Sequence, residues 1–215
     1  MADRWPEGWE EPVQVEMPMS DEFTGDRLGI QWQFHQEWDP GRLTLANGAL
    51  TLRGRGNEPG ESMPLTMQPM HRAYEIETEV EVEGDATAGL ILFYSPQSYI
   101  GCGISRDGIV LRVQKGYKRY RWMRDPEISR SRVVLRIVND RQDARFYYRD
   151  DDGHWRIMQP SVGVSVDTST PWNLRPALFT CGNGRGRFHF FNYRPLETQE
   201  GMNHWLESIW QTSRE

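Results

Sequence analysis

The segment from Ala73 to Glu83 constrains this chain more than any other. Tyr74, Ile76, Thr78, Val80 and Val82 alternate without a break with Glu75, Glu77, Glu79, Glu81 and Glu83. Side chains alternate across a strand with period two, whereas a helix repeats every 3.6 residues. The segment therefore predicts an antiparallel strand with one face on a core and the other in water. A row of glutamates is also what catalytic carboxylates or a cation site would look like. The unbroken alternation favours a solvated outer face.

Further strand signals follow at short intervals, each ended by turn residues. Leu28-Gly29-Ile30-Gln31-Trp32-Gln33-Phe34 opens the series, and Leu43-Thr44-Leu45 leads into Asn47-Gly48, a strong hairpin signal from which Ala49–Arg53 returns. Gly89–Ser95 is almost wholly apolar, so it belongs mid-sheet and covered on both faces. Tyr99–Ser105, a turn at Arg106-Asp107-Gly108, Ile109–Gln114, a turn at Lys115-Gly116, Tyr117–Met123, Val133–Val138 and Ala144–Tyr148 continue the pattern. Ala177–Thr180 and Arg187–Tyr193 complete it, and the Gly182-Asn183-Gly184-Arg185-Gly186 run between them reads as a turn, not a phosphate cradle. Strands without intervening helices make an all-β fold. The expected architecture is a two-sheet antiparallel β-sandwich of the jelly-roll kind, with its first and last strands meeting and a short C-terminal helix. Residues 1–19 read as an extended arm, 20–197 as the sandwich, and 198–215 as a tail with Trp205, Ile209 and Trp210 at helical spacing.

The chain has 215 residues and a formal net charge of −6. Its basic residues gather around Lys115–Arg132, together with Tyr117, Tyr120 and Trp122. Cations mixed with rings can form a single-strand nucleic-acid platform. The acidic overall balance argues instead for a solvated hairpin and no nucleic-acid partner. The two cysteines, Cys102 and Cys181, exclude a disulfide scaffold and a cysteine-rich zinc site. Buried reduced thiols fit their strand positions, and one bridge stays open as an alternative. No stretch of about 20 apolar residues could span a bilayer. The acidic start carries no secretory signal, so the cytoplasm is the expected compartment and no membrane partner is expected.

The rings suggest what the surface does. A pyranose packs an apolar C–H face on an aromatic ring and offers its edges to planar polar groups. Trp32, Phe34, Trp38, Tyr94, Tyr117, Tyr120 and Trp122 are candidate platforms. For Trp32 and Phe34 core packing is an equal alternative; Trp122, between Arg121 and Arg124, is better placed for exposure. Catalysis is harder to read. A glycosidase needs two carboxylates flanking the scissile bond, and the acids here lie in the Glu75–Glu83 row, the Asp150-Asp151-Asp152 turn and the termini. His35, His71, His154, His189 and His204 show no metal-ligand spacing, and no nucleophile elbow or P-loop is present.

Several motifs in order resemble one family. Asp21-Glu22-Phe23, the Leu28–Phe34 stretch, Leu65-Thr66, Ala73-Tyr74-Glu75, Ala88–Tyr94, Tyr99-Ile100-Gly101, Asp152-Gly153-His154-Trp155 and Phe188–Tyr193 are similar to the C-terminal module of family 43 glycoside hydrolases. That module is the β-xylosidase C-terminal concanavalin A-like domain, also classed as a family-91 carbohydrate-binding module. The resemblance covers roughly residues 20–195. It implies a concanavalin A-like sandwich that usually follows a catalytic five-bladed propeller, acts on xylo-oligosaccharides or decorated xylan, and can lend an aromatic to the sugar pocket. By rough alignment Trp172 would be that aromatic, and residues 1–19 would be linker. Two departures stand out: His189 replaces an acidic residue, and Cys181–Gly186 replaces the usual loop before the last strand.

Sandwiches of this type often hold a structural calcium where first and last strands meet, and Asp21 would be its ligand by position, through hard oxygen contacts. No cofactor is otherwise required. The expectation is thus a non-catalytic carbohydrate-binding or accessory module whose partners are a xylan-like polysaccharide and a catalytic glycosidase domain or subunit. A free-standing small hydrolase or lyase, or a protein-docking domain, are the alternatives.

Overall fold

The computed structural model describes residues 17–116, 119–129, 132–141, 143–149, 151–163 and 174–196, with side chains described outside 109–129 and 159–163. Among them run twelve strands: β1 Trp32–Phe34, β2 Leu43–Leu45, β3 Leu50–Arg53, β4 Leu65–Met67, β5 Ala73–Ser95, β6 Ser98–Ser105, β7 Ile109–Gly116, β8 Arg119–Ser129, β9 Arg132–Asp140, β10 Asp143–Arg149, β11 Trp155–Gly163 and β12 Arg175–Pro195. Every pairing is antiparallel.

Two long strands organise the molecule. β5 and β12 pair along their whole length, from Arg175↔Phe93 to Pro195↔Tyr74. Different neighbours flank their two halves. Thr87–Ser95 of β5 pairs β6, and Ala177-Leu178 of β12 pairs β4, giving the order β1-β4-β12-β5-β6-β7-β8, here called sheet A. Ala73–Glu81 of β5 pairs β9, and Arg185–Phe188 of β12 pairs β3, giving β2-β3-β12-β5-β9-β10-β11, sheet B. The β5–β12 ribbon thus passes from one sheet to the other.

The crossing lies where the sequence predicts a turn. Gly182-Asn183-Gly184-Arg185-Gly186 does not end a strand; it bends one, while pairing continues as Gly182↔Ala86, Asn183↔Asp85 and Gly184↔Gly84. Gly84 and Gly182 have φ of +70° and +89°, and a Cβ on Gly182 would stand 2.4 Å from the Asp85 carbonyl oxygen. Only glycine accommodates both the positive φ and so close a backbone.

Folded about this bend, the sheets enclose one core. Leu90, Leu92, Ile100, Cys102 and Ile104 of sheet A meet Tyr74, Ile76, Val80, Leu135, Ile137 and Phe146 of sheet B. β6 lies against β9 and β10 without hydrogen-bonding to either. This is the expected all-β, concanavalin A-like sandwich. The Asn47-Gly48 hairpin is as predicted, both residues having positive φ as a type I′ turn requires, with Ala46 and Ala49 exchanging backbone hydrogen bonds of 3.1 and 3.2 Å. Gly89–Ser95 is covered on both faces: Leu90 and Leu92 enter the main core, Ile91 and Phe93 a second cluster.

The opening of the chain differs from expectation. The strand begins only at Trp32, after a bend closed by Trp32 N–H donating to the Gly29 carbonyl at 3.2 Å. β1 pairs β4, which lies between it and β12. First and last segments meet instead through Asp21, whose backbone exchanges hydrogen bonds of 2.8 and 2.7 Å with Phe191. The arm up to residue 16 and the C-terminal helix expected beyond 197 lie outside the described residues.

Candidate functional site

The rings singled out in the sequence separate sharply. Trp32 and Phe34 are both 5% exposed, so the structure corrects their reading as glycan platforms. The cause is period two: β1 sends Trp32 and Phe34 inward and Gln33 outward. Trp32 packs edge-on against Phe191 at 4.9 Å and beside Phe23 at 6.2 Å. Tyr94 is half-buried against the main core. Tyr120 and Trp122 lie on β8, where side chains are outside the description, as are Tyr117 and Trp172 altogether.

Trp38 remains. It is 57% exposed, and among the described side chains it is the one Phe, Tyr or Trp with a largely open ring. It sits on the connection from β1 to β2, just before the 3-10 turn Pro40–Arg42. Phe34 braces it from below at 5.4 Å with planes 57° apart. Arg42 also lies over Phe34, its guanidinium 5.6 Å from the ring centre, and is anchored by Nε and Nη2 donating to the Arg53 carbonyl at 3.1 and 2.8 Å. Arg53 in turn donates to the Gly41 carbonyl at 2.7 Å, which ties the turn to β3. Asp39, next to Trp38 in the chain, forms a partly exposed pair with Arg55 at 4.0 Å. A fixed, open ring next to planar polar groups is what a sugar face requires. Composition hides Asp39 and Arg55 as site residues, because they are ordinary loop charges until the fold brings residue 55 beside residue 39.

Close to this turn, His35 packs edge-on against Phe93 at 4.8 Å, and Arg175 Nη2 lies 3.3 Å from His35 Nδ1. Burial, then the Arg175 charge, hold the His35 imidazole below its ordinary pKa. Burial likewise lowers the Arg175 guanidinium.

Asp21 is engaged in structure. Its Oδ1 accepts from the Phe23 N–H at 2.8 Å and its Oδ2 from the Trp32 indole N–H at 2.9 Å. Among the described residues no three His, Cys, Asp or Glu side chains gather as a metal set. Both cysteines are free and buried, and burial pushes the Cys181 thiol up to about 12, leaving it unreactive at neutral pH.

The glutamate row lies on the outer face of sheet B, as its alternation predicts, but it is drier than expected. Glu75 is 6% exposed. Each acid from Glu75 to Glu81 meets a cation on a neighbouring strand. Arg194 reaches Glu75 at 3.2 Å and Arg136 reaches it at 3.6 Å; Arg136 also pairs Glu77, Arg132 pairs Glu79, and Arg187 and His189 meet Glu81 at 3.5 and 3.2 Å. His189, where the resembled family carries an acid, thus partners Glu81. Burial raises the Glu77 carboxyl above its usual range, and Arg136 pulls it part of the way back. These are cross-strand ion pairs and not two carboxylates facing across a sugar-sized gap.

The site and frame define a concanavalin A-like sandwich on which, among the described side chains, Trp38 is the open aromatic. Residues 20–182 match the β-xylosidase C-terminal concanavalin A-like domain, and the chain belongs to that family. Among solved structures it is similar to the GH43 BlXynB protein from Bacillus licheniformis, at 17% identity and TM-score 0.74, covering 86% of this chain and 41% of that one. It is also similar to xylan β-1,4-xylosidase from Bacillus halodurans C-125, at 19% identity and TM-score 0.73, covering 88% and 41%. The chain thus spans well under half the length of these two proteins. A functionally unknown protein from Saccharomyces cerevisiae matches at 13% identity and TM-score 0.57, covering 78% of this chain and 98% of that one, so there the sandwich is nearly the whole chain. No curated protein matches the sequence. Among the described residues no helix is long and apolar enough to cross a membrane.

Proposed function

We propose that this sandwich is a glycan-binding accessory module that engages a xylan-like chain at Trp38 and works beside a catalytic glycosidase domain. The observation that carries the reading is the exposed indole of Trp38, packed on Phe34, with Asp39, its chain neighbour, paired to Arg55. An open ring costs apolar surface in water, and its bracing reduces the entropy lost on binding. Membership of a β-xylosidase C-terminal family and likeness to a protein titled xylan β-1,4-xylosidase supply the choice of polymer. Spanning 41% of that protein's length supplies the expectation of a catalytic neighbour. A hydrolase built on this sandwich itself is less well supported, because the described acids of the Glu75–Glu81 row are committed to arginine and histidine partners.

The test is a titration of the chain with xylohexaose and soluble xylan, followed by tryptophan fluorescence. A saturable change is expected. Trp38→Ala should weaken binding roughly tenfold to hundredfold, in line with losing most of one ring's buried area. Wild-type affinity in Trp38→Ala would remove Trp38 from the role, and silence with every plant glycan would remove the role itself.

A further inference from the structure

At the end of the sandwich away from the Gly182–Gly184 bend, a cleft of 280 Å³ opens between the β4–β5 connection and the end of β9. Its charge is one-sided. Arg72, at the close of that connection, and Arg141, just past β9, both line it beside His71, and among the described residues that line it there is no Asp or Glu. The backbone sets the two arginines against each other. Ala73 and Asp140 are the terminal register pair of β5 and β9, and one step further the Arg141 N–H donates to the Arg72 carbonyl at 3.1 Å. The same carbonyl accepts from Asn139 Nδ2 at 3.2 Å, which fixes the connection here. Asp140, next to Arg141 in the chain, does not answer the charge from within the cleft. It is in register with Ala73 and Asp143, so both acids leave the sheet on the face opposite to the cleft-lining Tyr74 and Asn139. His71 is held by Tyr193, whose hydroxyl lies 3.2 Å from its Nδ1.

Like charges directly opposite across a ladder destabilise each other. An anion between them removes that penalty, and guanidinium groups hold carboxylates through paired, charge-assisted hydrogen bonds. The rest of the cleft narrows the ligand. Met70, 63% exposed, Pro69 and Leu174 put apolar surface beside the cations. That suits an anion carried on a C–H-rich ring better than a bare inorganic ion. At 280 Å³ the space lies just under the usual range for ligand pockets, about 300–1,000 Å³, so it admits a single small ring and not an oligomer. We propose that the cleft binds a sugar carboxylate, one uronic acid unit of a glycan, between Arg72 and Arg141 and apart from the Trp38 surface. The ligand's being a sugar rests on the glycan-binding reading above; its being an anion rests on the cleft alone.

Calorimetry with D-glucuronate tests this, with D-xylose as the neutral control and inorganic phosphate as the anion without a ring. It is run on the full chain and on Trp38→Ala, Arg72→Gln and Arg141→Asn. Asparagine suits the φ of +57° at residue 141 better than arginine does, so that variant removes the charge without straining the turn. Expected is millimolar D-glucuronate binding, about tenfold tighter than that of D-xylose or phosphate. It should survive Trp38→Ala, weaken with added sodium chloride, and fall roughly tenfold in each arginine variant as a charge-assisted hydrogen bond is lost. Absence of D-glucuronate binding, equal binding of D-xylose, or unaltered affinity in either arginine variant would overturn the site. Phosphate binding as tight as that of D-glucuronate would make the cleft a general anion patch and overturn the sugar assignment. Xylohexaose silent while D-glucuronate binds breaks the Trp38 reading and leaves the cleft standing; xylohexaose bound while D-glucuronate is silent does the reverse.

Discussion

The outer faces of the two sheets solve the same problem by opposite means. Each belongs to the same pair of strands, β5 and β12, and each is covered, the first fully and the second in part. On sheet A the face is apolar: Ile91, Phe93, Tyr99, Ala177, Phe179 and Cys181 form a cluster apart from the main core. It is covered by the connection after β3, which continues along β12 through Gly54, Arg55 and Gly56 and then turns in Pro59–Ser62 over Tyr99. On sheet B the face is ionic: Glu75, Glu77, Glu79 and Glu81 are each met by Arg or His, and Trp155 lies against Arg136 and Arg149 at 3.8 and 4.7 Å. A covered apolar face gains from the hydrophobic effect. An ion-pair face gains much less, since desolvation offsets most of the Coulomb attraction. Stability should therefore respond more strongly to damage on sheet A than on sheet B.

The largest effect is expected for Phe179→Ala. Phe179 is fully buried, and Gly103 on the neighbouring sheet position makes room for its ring, since a Cβ there would stand 3.0 Å from Phe179 Cζ. Truncation leaves a cavity that β12 and β6, held in their ladders, cannot collapse. Urea unfolding should show a loss of about 3–5 kcal/mol. A loss below about 1 kcal/mol would mean that the covering loop is loosely held and the face is not a second core.

Arg136→Ala comes next. It removes the cation shared by Glu75 and Glu77 and the guanidinium stacked on Trp155. Glu75 keeps Arg194, so the carboxylate left exposed to the penalty is chiefly Glu77. About 2 kcal/mol should be lost, within the range for stranding a partly buried charged group. Adding Glu77→Gln should return part of that loss, because the stranded charge is then gone. If the double variant is no better than the single one, packing on Trp155 and not charge is what Arg136 contributes.

The contrast between the faces also explains what could be read from sequence. Alternation and turns are local, so β2–β3 about Asn47-Gly48, the inward face of Ala73–Glu83 and the doubly covered Gly89–Ser95 are all legible. The ribbon crossing is not. Glycine marks a turn and a bend alike, and only the continued pairing of Gly182 with Ala86 tells them apart. The wetness of the glutamate row is not legible either, because Arg136, Arg194 and His189 come from strands 50 or more residues away. The site suffered from the same limit. Trp32, Phe34 and Trp38 look equivalent as rings near the opening strand; burial separates them through β1's pairing with β4, a contact between segments 33 residues apart at Gln33↔Thr66.

The smallest effect is the one that divides the faces by sign. His35, beside Phe93 and Arg175 on sheet A, has its pKa lowered in the folded state. Its neutral form contributes stability above the unfolded value of about 6.5, and that contribution is lost as pH falls through the folded value. Glu77, on sheet B, has its pKa raised. Its protonated form contributes stability below the unfolded value of about 4.3, and that contribution is lost as pH rises through the folded value. Acidification from pH 7 towards 5 therefore weakens the one and begins to relieve the other. In His35→Gln the fall in melting temperature over this range should be shallower than in wild type; in Glu77→Gln it should be steeper. Solvent screening limits the His35 effect to roughly a few tenths of a kcal/mol, so the slopes of a pH series decide the matter and not any single melting point. Parallel slopes for all three proteins would show that neither group titrates differently in the folded chain, and the electrostatic half of the comparison between the faces would fall with them.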